Sequence, residues 1–86
     1  MINIVYAPIF VRMYKKLEPA LKEEVKEKIN SLQDKKNHTV LKVHRLNGRL
    51  EGRYAFSVNY KIRIVFRFEN RNTISLLYVG SHDVYK

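Results

Sequence analysis

Hydrophobic positions in the first third of the chain follow two different spacings. Residues 2–6 (INIVY) are rich in β-branched side chains and predict a short strand. Apolar residues then recur every three or four positions, first after Pro8 and again after Pro19, which predicts two helices with a proline in each first turn. Because the residue before a proline is disfavoured in the helical region, Glu18 separates the two helices, and we expect them to form a hairpin. The lysines and glutamates of the second helix, Lys28 among them, are predicted to form a solvated face.

From residue 53 onward the period changes from 3.6 to 2. Residues 53–60, 61–69 and 74–79 each alternate between two kinds of side chain, and polar turns at 59–61 and 70–72 separate them. Three strands joined by such short turns predict an antiparallel meander. The whole chain, residues 1–86, is therefore predicted to be one α+β domain. Its order is an N-terminal strand, a helix hairpin and then the antiparallel β-meander, with the helices packed on one face of the sheet.

The same alternation assigns the two faces of the predicted sheet. Within the three predicted strands the even-numbered positions, the last of them Tyr78, are large and apolar, and we expect them to pack against the helices. The opposite face is predicted to be open and positively charged, and an ordinary solvated sheet face is the alternative. Arginine favours phosphate contact, because its planar fork matches phosphate oxygens. The odd-numbered positions on this face include Arg53, Ser57, Arg63, Val65, Arg67 and Val79.

Charge sharpens the expectation about partners. The 86 residues include 17 Lys and Arg against 8 Asp and Glu, a net charge of +9. Between residues 35 and 67 there are nine basic residues and one acid, Glu51. This clustering predicts a polyanionic target or a strongly acidic protein partner, and a basic protein without nucleic acid is the alternative.

Composition also bears on location. The chain has no cysteine, and no apolar stretch approaches the roughly 20 residues that span a bilayer. Its first residues, MINIVYAPIF, lack the pattern of a signal peptide. We therefore expect a cytoplasmic protein without membrane contact.

The residues able to do chemistry favour a reaction without metal or cofactor. The sequence has no HExxH motif and no glycine-rich phosphate loop, and Ser81, His82 and Asp83 are adjacent and cannot face one another as a triad requires. Three histidines, several arginines and Tyr85 remain. Metal-free RNA cleavage needs a base for the 2′-hydroxyl, a cation for the phosphorane and an acid for the leaving 5′-oxygen. Histidine suits the acid and base roles, because its ordinary pKa of about 6.5 is near working pH.

Three segments carry a resemblance to a known family. HRLNGRLEGRY (44–54) is similar to a segment of the YoeB and YafQ branches of the RelE/ParE superfamily of type II toxins. YKIRIVF (60–66) resembles a strand of the same toxins, and GSHDVY (80–85) resembles the YafQ-type ending. With the order of the predicted elements, the resemblance covers essentially the full chain.

The resemblance implies a role for several residues. His44 is the candidate general base, Arg63 the residue that holds the scissile phosphate, His82 a late catalytic histidine and Tyr85 an aromatic placed against the RNA. It also implies an endonuclease that cuts mRNA in the ribosomal A site and is neutralised by an acidic antitoxin. Candidate RNA and phosphate contacts are Lys42, Arg45, Arg49, Arg53, Lys61 and Arg67.

The sequence departs from the family pattern at specific positions. Some YafQ-like members carry a second histidine and an aspartate where this chain has Ser57 and Lys61, and Arg45 stands where a proline is usual. Two alternatives share the fold and stay open: a ParE-like inhibitor of DNA gyrase, and a catalytically inactive relative that binds nucleic acid or its antitoxin.

Overall fold

The computed structural model describes residues 1–81 of the chain. Five strands, two α-helices and two short 3-10 helices follow one another within these residues. Their order is β1 (Asn3–Tyr6), α1 (Pro8–Lys15), α2 (Pro19–Leu32), a 3-10 helix (Lys35–His38), β2 (His44–Arg45), a 3-10 helix (Gly48–Leu50), β3 (Tyr54–Ser57), β4 (Ile62–Asn70) and β5 (Thr73–Ser81).

Both α-helices begin where the prolines predicted. Ala7 and Glu18 are extended, with ψ of 146° and 152°, and a proline occupies the first helical position after each. The Tyr14 hydroxyl donates to the carbonyl of Lys22 at 3.3 Å and ties the two helices into the expected hairpin. Neither helix within residues 1–81 is long and apolar enough to cross a membrane.

The five strands form one sheet in the order β1-β5-β4-β3-β2. Strands β3, β4 and β5 are antiparallel neighbours, which confirms the predicted meander. Strand β1 lies parallel to β5, so the sheet is mixed, and the fold is the predicted α+β class. The two-residue strand β2 was not predicted. It pairs with β3 and places His44 opposite Ala55 at the edge of the sheet.

The hydrophobic core lies between the helices and one face of the sheet. Phe10 of α1 and Val25 and Leu32 of α2 are buried against strand residues that include Phe56 and Phe66. Each such side chain contributes roughly 1.5–3 kcal/mol when it leaves water. The apolar even-numbered positions of β3 and β4 thus pack against the helices as expected, whereas Tyr60, in the turn between the two strands, is 85% exposed.

A β-bulge at Leu77 interrupts the alternation in β5. Tyr78 lies opposite Val65 and Val79 opposite Ile64, but Phe66 lies opposite Leu76, so Leu77 is an extra residue in the ladder. One extra residue exchanges the two faces of the strand beyond it. The prediction that Tyr78 packs in the core and Val79 lies on the opposite face was therefore wrong. Val79 is 1% exposed in the core.

Candidate functional site

The sheet face opposite the helices carries the arginines and is called here the arginine face. Its residues fall into rows set by strand pairing. One row runs from His44 through Ala55 and Val65 to Tyr78. The next row holds Ser57, Arg63 and Gly80. The bulge therefore brings Tyr78, predicted for the core, onto the arginine face.

The centre of the arginine face is not the open floor that the alternation predicted. Ala55 and Val65 are both fully buried, and Ser75 is 8% exposed. The guanidinium carbon of Arg53 lies 5.9 Å from the centre of the Tyr78 ring, in cation–π contact. The arginine face thus has a covered apolar centre with charged side chains around it.

His44 is held in a defined orientation at one edge of this face. Its Nδ1 lies 3.1 Å from the carbonyl oxygen of Lys42. A carbonyl can only accept, so the proton of this hydrogen bond is on Nδ1, and in the neutral ring Nε2 carries the free lone pair. Side-chain exposure of His44 is high. The oriented ring can therefore accept a proton at Nε2 from a group within hydrogen-bond distance.

The backbone that holds His44 is itself unusual. Lys42 has a φ of 59° and is the one non-glycine residue with positive φ within residues 1–81. Its amide donates to the carbonyl of Thr39 at 3.1 Å, and the amide of Val43 donates to the carbonyl of His38 at 3.0 Å. These two bonds fix the strained residue whose carbonyl orients His44.

Arg63 is the second residue of β4 and lies between two residues with small side chains on the neighbouring strands. Ser57 of β3 is its partner on one side and Gly80 of β5 on the other. The side chain is half-buried, and its Nη1 nitrogen is buried.

Ser57 is the shared neighbour of the two principal candidates. It lies directly opposite Arg63 and diagonally from His44, a relation that places side chains about 7–8 Å apart. His44 and Arg63 are separated by two strand spacings across the sheet and by two residues along the strand direction. Their Cα atoms are therefore about 12 Å apart. A phosphodiester bound above Ser57 would lie between the two side chains.

A groove of about 400 Å³ opens beside this point. His44 and Ser57 line it together with Lys28 of α2, Lys42 and the loop residues Val40 and Leu41. The sequence pattern assigned Lys28 to a solvated helix face and gave no sign of this position. Lys28 reaches the groove because β2 is too short to cover the end of β3. This relation depends on residues far apart in the chain, so no local sequence pattern indicates it.

The other predicted phosphate contacts are dispersed. Arg45 pairs with Tyr54, whose ring stacks on Phe66 of the core side, so Arg45 projects to the face opposite His44. Arg49 is exposed in the loop before β3, and Lys61 is exposed in the turn before β4. Of these candidates the structure brings Lys42, Arg53 and Arg67 near the arginine face. His82 and Tyr85 lie outside the described residues.

His38 has a structural role. Its Nε2 lies 2.8 Å from the carbonyl oxygen of Leu32 at the end of α2, and its ring lies 6.2 Å from that of Phe68. Since the carbonyl accepts, Nε2 is the protonated nitrogen. The hydrogen bond satisfies one of the free carbonyls at a helix end.

Glu69 is an acidic residue of the arginine face whose pKa is lowered by its neighbours. A hydrogen bond from the Ser75 hydroxyl, and after it a hydrogen bond from Arg67, lowers the pKa of Glu69 below its usual value of 4.5. Within residues 1–81, no three His, Asp or Glu side chains are grouped so that they could hold a metal ion.

Comparison with solved structures identifies the fold. The chain is similar to a chain of the RelBE2 toxin–antitoxin complex from Mycobacterium tuberculosis, with 18% identity over 94% of this chain and 98% of the other, at a TM-score of 0.75. It is similar to a chain of the YoeB-YefM complex from Staphylococcus aureus, with 21% identity over 95% and 98%, at a TM-score of 0.75. It also resembles a mutant of YafQ from E. coli, with 16% identity over 99% and 98%, at a TM-score of 0.72.

The chain therefore has the fold of RelE-, YoeB- and YafQ-type toxins, as the sequence motifs predicted. Identities at this level establish the fold and leave the activity to the site itself. No protein-family model and no curated protein sequence matches the chain.

Proposed function

We propose that this protein is the toxin of a type II toxin–antitoxin pair and a ribosome-dependent mRNA endonuclease. The observation that supports this function best is the relation of His44 to Arg63. Both side chains belong to the same face, Ser57 lies next to each, and the His44 ring presents Nε2 as a proton acceptor.

Cleavage proceeds by attack of a ribose hydroxyl on its own phosphate. Nε2 of His44 takes the proton of the 2′-hydroxyl, and the 2′-oxygen forms a bond to phosphorus. The guanidinium of Arg63 stabilises the negative phosphorane. The bond from phosphorus to the 5′-oxygen then breaks, which leaves a 2′,3′-cyclic phosphate. His82 and Tyr85 are the sequence candidates for the acid that protonates the leaving oxygen.

The groove and the charges around it bind the RNA. Lys28 and Lys42 flank the groove beside His44, and Arg53 lies further along the arginine face. A positive groove that follows the backbone is what single-stranded nucleic acid requires. Arg45, Arg49 and Lys61 lie away from this path and are proposed to contact more distant phosphates.

An acidic antitoxin is the proposed protein partner. Two of the three similar structures described above are toxin–antitoxin complexes, one from M. tuberculosis and one from S. aureus. A net charge of +9 suits an acidic segment that covers the arginine face. The protein is proposed to act in the cytoplasm, where translating ribosomes are found.

A translating extract tests the function. The protein is added with a reporter mRNA, and cut sites are mapped by primer extension. The wild type is expected to cut within the coding region, and His44→Ala to cut at least about 100-fold more slowly, since a general base contributes 10²–10⁴-fold. Lys15→Ala, at an exposed position of α1, is the control and should cut like the wild type.

Two outcomes would overturn the proposal. Intact mRNA together with inhibited DNA supercoiling by gyrase would favour the ParE-like alternative. Salt-dependent RNA binding with no cleavage, unchanged by His44→Ala, would indicate an inactive relative.

A further inference from the structure

Arg67, Glu69 and Ser75 form a closed hydrogen-bonded cluster at one end of the arginine face. Nε of Arg67 donates to Oε2 of Glu69 at 2.8 Å, and the hydroxyl of Ser75 donates to the same oxygen at 2.7 Å. Arg67 and Ser75 are direct partners across β4 and β5. The carboxylate of Glu69 is thus held from both strands.

The cluster fixes one end of the guanidinium and leaves the other accessible. The bond to Glu69 uses the Nε donor, whereas four further N–H donors sit on the two terminal nitrogens. The side chain of Arg67 is 53% exposed. An arginine held through Nε loses rotational freedom before any ligand binds, and this preorganisation strengthens binding.

Arg67 lies too far along β4 from Arg63 to contact the phosphate at the proposed cleavage point. Arg63 and Arg67 are four residues apart on one strand and face the same way, about 13 Å between Cα atoms. One phosphate lies between His44 and Arg63 in the proposed reaction. Arg67 therefore reaches a different phosphate of the same strand.

We propose that Glu69 and Ser75 are positioning residues that hold the Arg67 guanidinium for a second phosphate of the RNA, away from the scissile one. The inference rests on the proposed RNA cleavage and adds a second contact point to the substrate path. Neither Glu69 nor Ser75 touches the reacting atoms in this arrangement.

Replacement of Glu69 tests the proposal, because a pure charge effect and a positioning role predict opposite changes in RNA affinity. If Glu69 acted only through its charge, Glu69→Ala would strengthen binding to a polyanion, as removal of any nearby acid does. If Glu69 positions Arg67, the same change weakens binding. Glu51→Gln removes the same charge from an exposed loop residue without an ion pair within residues 1–81, and it is the matched control.

The measurement uses a short single-stranded RNA whose 2′-hydroxyls are methylated, so that it cannot be cut. Affinity is measured at several salt concentrations. Arg67→Ala should reduce the slope of log affinity against log salt by about 0.7, the value for one lost phosphate contact. Glu69→Ala, which has no acceptor oxygen, should bind about fivefold more weakly than the wild type, the effect of one orienting hydrogen bond. Glu51→Gln should bind as tightly as the wild type or more tightly.

A second pair of variants isolates the hydroxyl of Ser75. Ser75→Thr keeps the hydroxyl and Ser75→Val has the same shape without it. The threonine variant should bind RNA like the wild type and the valine variant more weakly, both measured at a temperature at which each variant is folded. This comparison stays informative even if Glu69→Ala folds poorly, because both side chains suit a strand.

The two proposals fail in different ways. If the wild type cuts mRNA and Glu69→Ala binds the methylated RNA as tightly as Glu51→Gln, the positioning role is wrong and the nuclease stands. If the wild type binds the methylated RNA with the predicted Arg67 and Glu69 effects and cuts nothing, the nuclease proposal is wrong and the phosphate contact stands. Absence of wild-type binding to the methylated RNA would overturn the Arg67 contact, and the nuclease proposal would then be decided by cleavage in the translating extract.

Discussion

The imidazole of His44 is oriented by the carbonyl of Lys42, 3.1 Å from Nδ1, and Lys42 adopts a left-handed backbone conformation to present that carbonyl. A lysine at a φ of 59° is strained, since its Cβ approaches the neighbouring carbonyl. The strain and the histidine orientation thus arise from the same residue, as is common near functional sites.

The strain at Lys42 can be measured with two variants that both remove the side chain. Lys42→Gly relieves the unfavourable conformation, whereas Lys42→Ala retains it. We expect the glycine variant to be more stable than the alanine variant by about 1 kcal/mol in urea unfolding. Equal stability, or a more stable alanine variant, would show that residue 42 is not held at positive φ.

Arg63→Lys should lose much of the nuclease activity. Lysine keeps the charge but replaces the planar fork by a point charge, which cannot hold two phosphate oxygens in a fixed geometry. We expect a loss of about 100-fold in the rate of mRNA cleavage, in the range reported for one transition-state donor. Arg71→Lys, at an exposed position of the β4–β5 turn, is the matched control. Activity near that of the wild type in Arg63→Lys would contradict the phosphate role.

Lys28 should matter for RNA binding although it lies on a helix of lysines and glutamates. It lines the groove beside His44, so Lys28→Ala should reduce the salt slope of binding to the methylated RNA by about 0.7. Lys15→Ala removes the same charge from the other helix and should leave the slope unchanged. A slope equally reduced in both variants would mean that only net charge matters.

Because the bulge in β5 turns Val79 into the core, a polar substitution at this residue should lower the free energy of unfolding. Val79→Thr places a hydroxyl in the core in a side chain of nearly equal shape, and we expect a cost of about 1–3 kcal/mol. Val5→Thr makes the same change at a residue that is 50% exposed and should lie within about 0.5 kcal/mol of the wild type. If Val79→Thr were equally harmless, Val79 would face solvent and the strand would lack the bulge.

Glu69 should make folding stability depend on pH. Its pKa is lowered in the folded protein by the hydrogen bonds from Ser75 and Arg67, so its contribution is fully present above the unfolded value of 4.5. The contribution is lost as pH falls below 4.5 and through the lower folded pKa. Urea unfolding at pH 7 should therefore show Glu69→Gln less stable than the wild type, and the difference should shrink at pH 3. A difference between Glu69→Gln and the wild type that stays constant from pH 7 to pH 3 would contradict the linkage.

Local rules in the sequence determined most of the architecture. Pro8 and Pro19 start the helices because proline fits the first helical turn, and the change of period at residue 53 marks the sheet. Alternation also identified Arg63 and Arg67 as neighbours on one face. These features depend on contacts between residues near in sequence, so a single chain reveals them.

The tertiary structure decided the rest, because it depends on pairings between distant segments. Strand β2 has only two residues and exists through its hydrogen bonds to β3, and the bulge at Leu77 appears only when β5 is laid against β4. The position of Lys28 beside His44 follows from how α2 packs across the end of β3. Periodicity along the chain carries no information about the register between distant strands. The sequence therefore predicted the candidate residues, and folding determined which of them lie near one another.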